Sequence, residues 1–246
     1  MGTVFAHAGL VFSPQNLWLW IATSVLLSAL ANGLSWRCQW AGNLKCRPVR
    51  WSLELVREVG RFLYFVGLPY VALLSGLIPA TQAGLVNCEW LRDLTLSLPL
   101  GLGALLVLVT LRALTLWREK TAPGGIAPTE PPPPFWMTLR QNVYQEVHWA
   151  FYRSAPLLAF EDRSHGIALG LGIVALEAWL DPAWREHWQH PHLAITALRT
   201  ATLAVIMAVI FGITNNLWIT LGLHVAVERA GGWAWSQISR AFSLAE

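Results

Sequence analysis

Long stretches without a charged side chain limit what this chain can fold into. No Asp, Glu, Lys or Arg precedes Arg37, and residues 17–34 form one apolar run. At roughly 1.5 Å per residue, a helix of this length nearly crosses a hydrocarbon core about 30 Å thick. Of the 246 residues, 55% are hydrophobic and 13% are charged, against about 25% charged residues in a soluble domain. The sequence therefore predicts an integral, multi-pass protein of the lipid bilayer.

Further uncharged runs predict an all-α fold, a polytopic transmembrane helix bundle with about seven membrane helices. Residues 193–227 are long enough for two helices. We place the break between them at ITNN, residues 213–216, because paired Asn residues favour turns. The other predicted helices are assigned on apolar character and occupy residues 17–34, 62–79, 95–111, 135–160 and 165–180.

A segment rich in Pro and Gly, residues 118–135, divides the chain. Proline interrupts helices, so we expect an extended linker here, and a recognition site for a proline-reading domain is the alternative. The predicted organisation is an N-terminal membrane region of about three spans at 1–117, the linker at 118–135, and a second membrane region at 136–246.

The distribution of basic residues predicts the orientation in the membrane. The connection 37–61 is rich in Lys and Arg, whereas the connection 80–93 contains only Arg92 as a basic residue. Basic connections face the cytoplasm. We therefore expect the N-terminus outside the membrane, and the linker and the C-terminus in the cytoplasm. The net charge of +3 then reflects membrane orientation, and nucleic acid is not an expected partner.

Ionisable side chains inside the predicted spans are the candidate functional residues. At membrane depth each costs on the order of 2.5–3.5 kcal/mol on insertion scales, so such residues usually face a bundle interior. Glu146 and Arg153 are seven residues apart and share one helix face, and Glu177 is the single carboxylate of the fifth predicted helix. The last helix carries a polar residue at every fourth position, namely Asn216, Thr220, His224 and Glu228.

His224 and Glu228 are spaced to act together. Residues at i and i+4 are neighbours on a helix, so the two side chains can ligate one divalent metal ion such as zinc, or the carboxylate can orient the imidazole. Alternatively, His224 is a hydrogen-bonded packing residue and Glu228 reaches water beside Arg229. We predict that both side chains join Glu146 and Arg153 in one polar cluster, for which a purely structural ion pair is the alternative.

The segment VIFGITNNLWITLGLHVAVE, residues 209–228, resembles the last motif of the CAAX-protease and bacteriocin-processing family of intramembrane proteases, also called the CPBP or Abi family. The resemblance covers about residues 136–232. It implies a membrane cavity in which carboxylates and imidazoles activate water. His224 fits the His-x-x-x-Asn or Asp motif, with Glu228 at its last position, and Arg153 fits the end of a Glu-Glu-x-x-x-Arg motif.

Other positions depart from the motifs of that family. His148 and Trp149 stand where the paired glutamates would be, with Glu146 nearer the helix start. Glu177 stands about where the His of a Phe-x-x-x-His motif would be. The resemblance thus implies a candidate catalytic set of altered composition, comprising Glu146, Arg153, Glu177, His224 and Glu228.

The sequence leaves three interpretations of function open. The chain is an intramembrane endopeptidase with an altered Glu and His site, or a non-catalytic relative that acts as a scaffold or accessory subunit of a membrane complex. In the third interpretation, His148 and His224 ligate a haem or pigment, although no paired-His motif or attachment sequence supports it. Loss of the paired glutamates favours the second interpretation, which implies membrane-protein partners.

Overall fold

Helices dominate the computed structural model, which describes residues 16–40, 50–121, 133–160 and 162–244. Within these ranges 88% of the residues are helical and no strand is present. The predicted all-α class is confirmed. Most of the predicted linker 118–135 lies outside the described residues, and its expected extended conformation stays a prediction.

The described residues contain nine α-helices and one π-helical turn. The π-helical turn, Leu63–Gly67, joins the second helix to the third. The α-helices are α1 Leu17–Trp40, α2 Arg50–Phe62, α3 Leu68–Leu74, α4 Trp90–Thr121, α5 Phe135–Ala159, α6 Arg163–Leu180, α7 Pro182–Gln189, α8 Pro191–Thr214 and α9 Leu217–Leu244.

Three of these helices are long and apolar enough to cross a membrane, at Leu17–Arg37, Trp90–Leu114 and Leu193–Thr214. Helices α6 and α7 meet the same criterion together, but they are bent by 82° at their junction, so the described residues contain three or four candidate spans. The first and third predicted spans are confirmed as candidate membrane helices. The predicted count of seven is not confirmed, and neither is the orientation.

The predicted second span is interrupted rather than continuous to residue 79. Pro69 stands in the first turn of α3, directly after the π-helical turn, where its missing N–H is tolerated. The helix ends at Leu74. Gly76 and Gly84 then adopt φ values of 75° and 70°, which favour glycine because it has no Cβ. An irregular segment therefore replaces the end of this span.

The chain forms two compact units, each considered separately. Unit 1 comprises Met1–Val86 and Tyr144–Glu186. Its core joins α1, α3, the segment after α3, and α5, and α1 also packs against α6. The buried apolar residues of this core include Leu17, Ile21, Ala72, Leu77 and Phe151.

Two glycines allow α6 to approach the backbone of α5 within unit 1. A Cβ atom added at Gly166 would lie 3.0 Å from Cα of Leu157, and one added at Gly170 would lie 2.9 Å from Cα of Arg153. Small residues four positions apart permit such close packing of membrane helices. The backbone around Arg153 is thereby held against α6.

Replacing Gly170 by Ala should destabilise unit 1, because the added methyl group overlaps the backbone of Arg153. Overpacking of this kind costs about 1–3 kcal/mol. The free energy of unfolding in mixed micelles measures the effect. Gly172→Ala is the matched control on the same helix, since its added Cβ meets nothing within 4 Å; equal losses in the two variants would contradict the close approach.

Unit 2 comprises Asn87–Val143 and His187–Glu246, and α4, α8 and α9 pack together in it. Helices α4 and α9 run parallel, because residues later in α4 contact residues later in α9. Asp93 meets Asn216, Gly101 faces Leu223, and Arg112 meets Gly231. Helix α8 runs antiparallel to α9, and Arg199 near its start meets Glu228.

The predicted break between the last two helices is confirmed. Asn215 adopts a left-handed conformation with φ of 51°, which Asn tolerates better than most residues. The Oδ1 atom of Asn216 accepts hydrogen bonds from the backbone N–H groups of Trp218 and Ile219, at 3.1 and 3.2 Å. The paired Asn residues therefore end α8 and cap α9.

Exposed leucines cover much of the helix surface. Leu30 and Leu34 on α1 are 65% and 62% exposed, and Leu102 and Leu106 on α4 are 61% and 68% exposed. Contiguous apolar surface on this scale is rare on soluble monomers. A lipid bilayer solvates it, which agrees with an integral membrane protein.

Candidate functional site

Glu146 and Arg153 form a buried ion pair along α5. Their Oε2 and Nη2 atoms are 3.6 Å apart, and the side chains are 0% and 2% exposed. Asn142 on the same helix is also buried. Glu146 and Arg153 lie on one face of the helix, as their spacing predicts.

A second buried pair joins α5 to α6. His148 Nε2 lies 3.6 Å from Glu177 Oε2, and the two side chains are 1% and 15% exposed. This separation is longer than a hydrogen bond but within the range of an ion pair. The sequence analysis identified both residues and missed their pairing. His148 and Glu177 lie on different helices, so helical spacing in the sequence did not link them.

Three hydroxyl groups are linked to one another and, through Tyr64, to the Glu177 carboxylate, and we call Ser24, Tyr64 and Tyr152 the hydroxyl cluster. Tyr64 donates to Glu177 Oε1 at 2.7 Å, and Ser24 donates to Tyr64 at 3.1 Å. The hydroxyl oxygen of Tyr152 lies 3.0 Å from that of Tyr64 and 3.2 Å from that of Ser24. Because each hydroxyl has one proton, the short contact to the carboxylate takes the proton of Tyr64.

Aromatic rings enclose the His148 imidazole. The ring centroids of Tyr152, Tyr64 and Phe65 lie 4.4, 4.7 and 5.0 Å from that of His148. Tyr64 and Phe65 are adjacent in the π-helical turn, which therefore supplies two sides of the enclosure. Single π-helical turns are frequent at functional sites. The rings therefore leave the imidazole 1% exposed and the carboxylate beside it 15% exposed.

The polar stripe of α9 in unit 2 is buried for most of its length. Asn216 and Thr220 are 0% exposed and His224 is 1% exposed. Glu228 is half-buried and forms an ion pair with Arg199 of α8. The structure thus gives Glu228 a protein cation as a partner.

Asp93 and Asn216 make a further buried polar contact, in the first turn of α4. Asn216 Nδ2 donates to Asp93 Oδ2 at 2.9 Å, and Asp93 is 2% exposed. In the sequence analysis, residue 93 is only the end of the connection 80–93. A carboxylate directly before an apolar run gave no indication of its partner, since Asn216 is 123 positions away.

The candidate set is thus distributed over both units. Glu146, Arg153 and Glu177 belong to unit 1, and His224 and Glu228 belong to unit 2. Their convergence in one cluster stays a prediction. Among the residues that the structure describes, no three His, Cys, Asp or Glu side chains form a group that could hold a metal ion. Ligation of zinc by His224 and Glu228 is likewise untested.

Comparison with known proteins does not place the chain in a family. No protein-family model matches it, no curated protein is significantly similar, and no solved structure is significantly similar. The resemblance to the CPBP family therefore stays a hypothesis that depends on the motif at 209–228 and on Arg153.

Replacing Arg153 by Met should destabilise the protein by about 3–5 kcal/mol, because it leaves the Glu146 carboxylate buried without its cation. Adding Glu146→Leu to that variant should recover a large part of the loss, since it removes the uncompensated charge. Unfolding in mixed micelles measures both variants. A double variant that is less stable than Arg153→Met would contradict the pairing.

Proposed function

We propose that this chain is a non-catalytic scaffold or accessory subunit of a membrane complex. One observation carries the proposal, which is that every carboxylate in the candidate set already has a protein partner. Glu146 faces Arg153, and Glu228 faces Arg199. Glu177 accepts a hydrogen bond from Tyr64 and lies beside His148.

These partners compete with catalysis. A general base must direct a lone pair at the water or substrate that it deprotonates. A carboxylate that faces a guanidinium or a tyrosine hydroxyl directs its oxygens towards that partner instead. The same contacts are well suited to structure, because they satisfy polar groups that would otherwise be isolated among apolar helices.

The outer surface supports an assembly role. Trp90, Trp136, Trp179 and Trp233 are between 57% and 66% exposed. Tryptophan is enriched at the membrane interface and at the centres of protein interfaces. These side chains offer contact area to lipid and to neighbouring membrane proteins.

Intramembrane proteolysis is the second candidate, and the His148 and Glu177 pair favours it. A buried imidazole and a carboxylate 3.6 Å apart are groups that can share the work of activating a water molecule. The resemblance to the CPBP family points the same way. In this alternative, Arg153 would stabilise charge in the substrate.

Peptide cleavage separates the two candidates. We expect the full chain in proteoliposomes to cleave quenched fluorescent peptides no faster than its Glu177→Gln and His224→Ala variants. Thermal unfolding of each variant controls for loss of fold. Cleavage by the wild-type chain that disappears in a variant of unchanged stability would establish the protease and overturn the scaffold proposal.

Assembly is measured independently on membranes of the source cell. After mild extraction, the protein should migrate on native gels well above the size of the purified single chain. Migration as a single chain would contradict an accessory role.

A further inference from the structure

His148 is a buried imidazole whose ring nitrogens make no hydrogen bond to any residue that the structure describes. A buried polar group without such a bond is an exception in folded proteins and requires an explanation. The imidazole is 1% exposed and faces the Glu177 carboxylate, 3.6 Å from Nε2. We propose that His148 and Glu177 together bind one proton inside the membrane. This inference does not depend on the proposed function.

The two oxygens of the Glu177 carboxylate have different neighbours. Tyr64 donates to Oε1 at 2.7 Å, whereas Oε2 is the atom that faces His148 Nε2. The single proton of the Tyr64 hydroxyl is thus directed at Oε1, where it fixes the orientation of the carboxylate. A proton between Oε2 and Nε2 therefore has an acceptor on each side.

The pair lies at membrane depth. The Tyr64 hydroxyl that holds Glu177 also contacts Ser24 of α1, at 3.1 Å, and α1 contains the candidate span Leu17–Arg37. At roughly 1.5 Å per residue, Ser24 is about 10 Å from one end of this span and about 20 Å from the other. Ionisable groups at such depth are costly, and chains of carboxylates and imidazoles there are typical of proton relays.

Uptake of a proton removes an uncompensated charge from the pair. Without the proton, a neutral imidazole stands beside a carboxylate, and the pair carries one net negative charge. One proton from water converts the imidazole to imidazolium, so the pair carries no net charge, and no electron is transferred. An isolated carboxylate is costly in a medium of low dielectric constant, and an adjacent cation offsets that cost. The proton therefore relieves part of the cost of burying Glu177.

Few other ionisable groups belong to the elements around the pair. The hydroxyls of Tyr64 and Tyr152 face it from the π-helical turn and from α5. Residues 17–36 of α1 include no ionisable side chain, and the only tyrosine of α3 is exposed. On α5, Glu146 and Arg153 pair with each other. The other ionisable side chains of α6 stand in its first turn, at the opposite end from the pair.

The carboxylate gives the proton access to the imidazole. Glu177 is 15% exposed and His148 is 1% exposed, so a proton from water reaches Oε2 before Nε2. The Ser28 hydroxyl of α1 contacts the carboxylate, and Asn32 donates to Ser28 Oγ at 3.4 Å. Ser24, Ser28 and Asn32 are each one turn apart and share a face of α1. They form a polar path from the pair towards the C-terminal end of the span.

Nitrogen-15 NMR of the histidine side chains tests the inference on the full chain in nanodiscs, because imidazole and imidazolium nitrogens resonate at different frequencies. The His148 signal is identified by its loss in His148→Gln. In the wild type it should change from imidazole to imidazolium in one transition as the pH falls. In Glu177→Gln the proton should bind His148 about tenfold more weakly or less, as expected when an opposite charge within about 4–6 Å is removed.

His165 is the matched control on α6. It pairs with Asp162 at 2.8 Å, and both side chains are exposed, at 72% and 55%. Its transition should be the same in the wild type and in Glu177→Gln. A change at both histidines would show a general effect on the fold and would overturn the assignment of the proton to one pair.

Two further results would overturn the inference. If His148 stays neutral at every pH at which the wild type is folded, it is a packing residue. If its transition is unchanged in Glu177→Gln, the carboxylate does not share the proton. Should that variant fail to fold, infrared difference spectra of the wild type decide, since a glutamate carboxylate band should change across the His148 transition, and an unchanged band would contradict the shared site.

Discussion

Burial of charged groups among apolar helices requires that each one has a partner, and the rest of this structure depends on that constraint. In unit 1 the guanidinium of Arg153 faces Glu146, and the hydroxyl cluster faces Glu177. In unit 2, Arg199 faces Glu228. Because removing one partner from a buried pair costs several kcal/mol, these contacts restrict how the helices can be arranged.

The same pairing decides between the functional alternatives. A site for water activation needs groups whose lone pairs are directed at a substrate, whereas the carboxylates here are directed at partners from the protein. The His148 and Glu177 pair comes nearest to a reactive arrangement, because it places a buried imidazole 3.6 Å from a carboxylate. The scaffold proposal therefore depends most on the strength of the hydrogen bond from Tyr64 to Glu177.

The sequence predicts what depends on local composition and misses what depends on distant contacts. Apolar runs identified the spans in α1, α4 and α8, and the paired Asn residues identified the break before α9, because hydropathy and turn preference are local properties. The π-helical turn and the bend after α6 were not anticipated, and the predicted span count is not confirmed. Tyr64 and Glu177 are 113 positions apart, and no periodicity in one sequence links residues at that separation.

A double-mutant cycle on Tyr64 and Glu177 tests the central claim most directly, since it measures whether the buried carboxylate is committed to a protein partner. Unfolding free energies are compared for the wild type, Tyr64→Phe, Glu177→Gln and the double variant. The account predicts a coupling energy of about 1.5–3 kcal/mol, the range for a hydrogen bond to a charged group. A coupling energy near zero would contradict it, because Glu177 would then be available as a base.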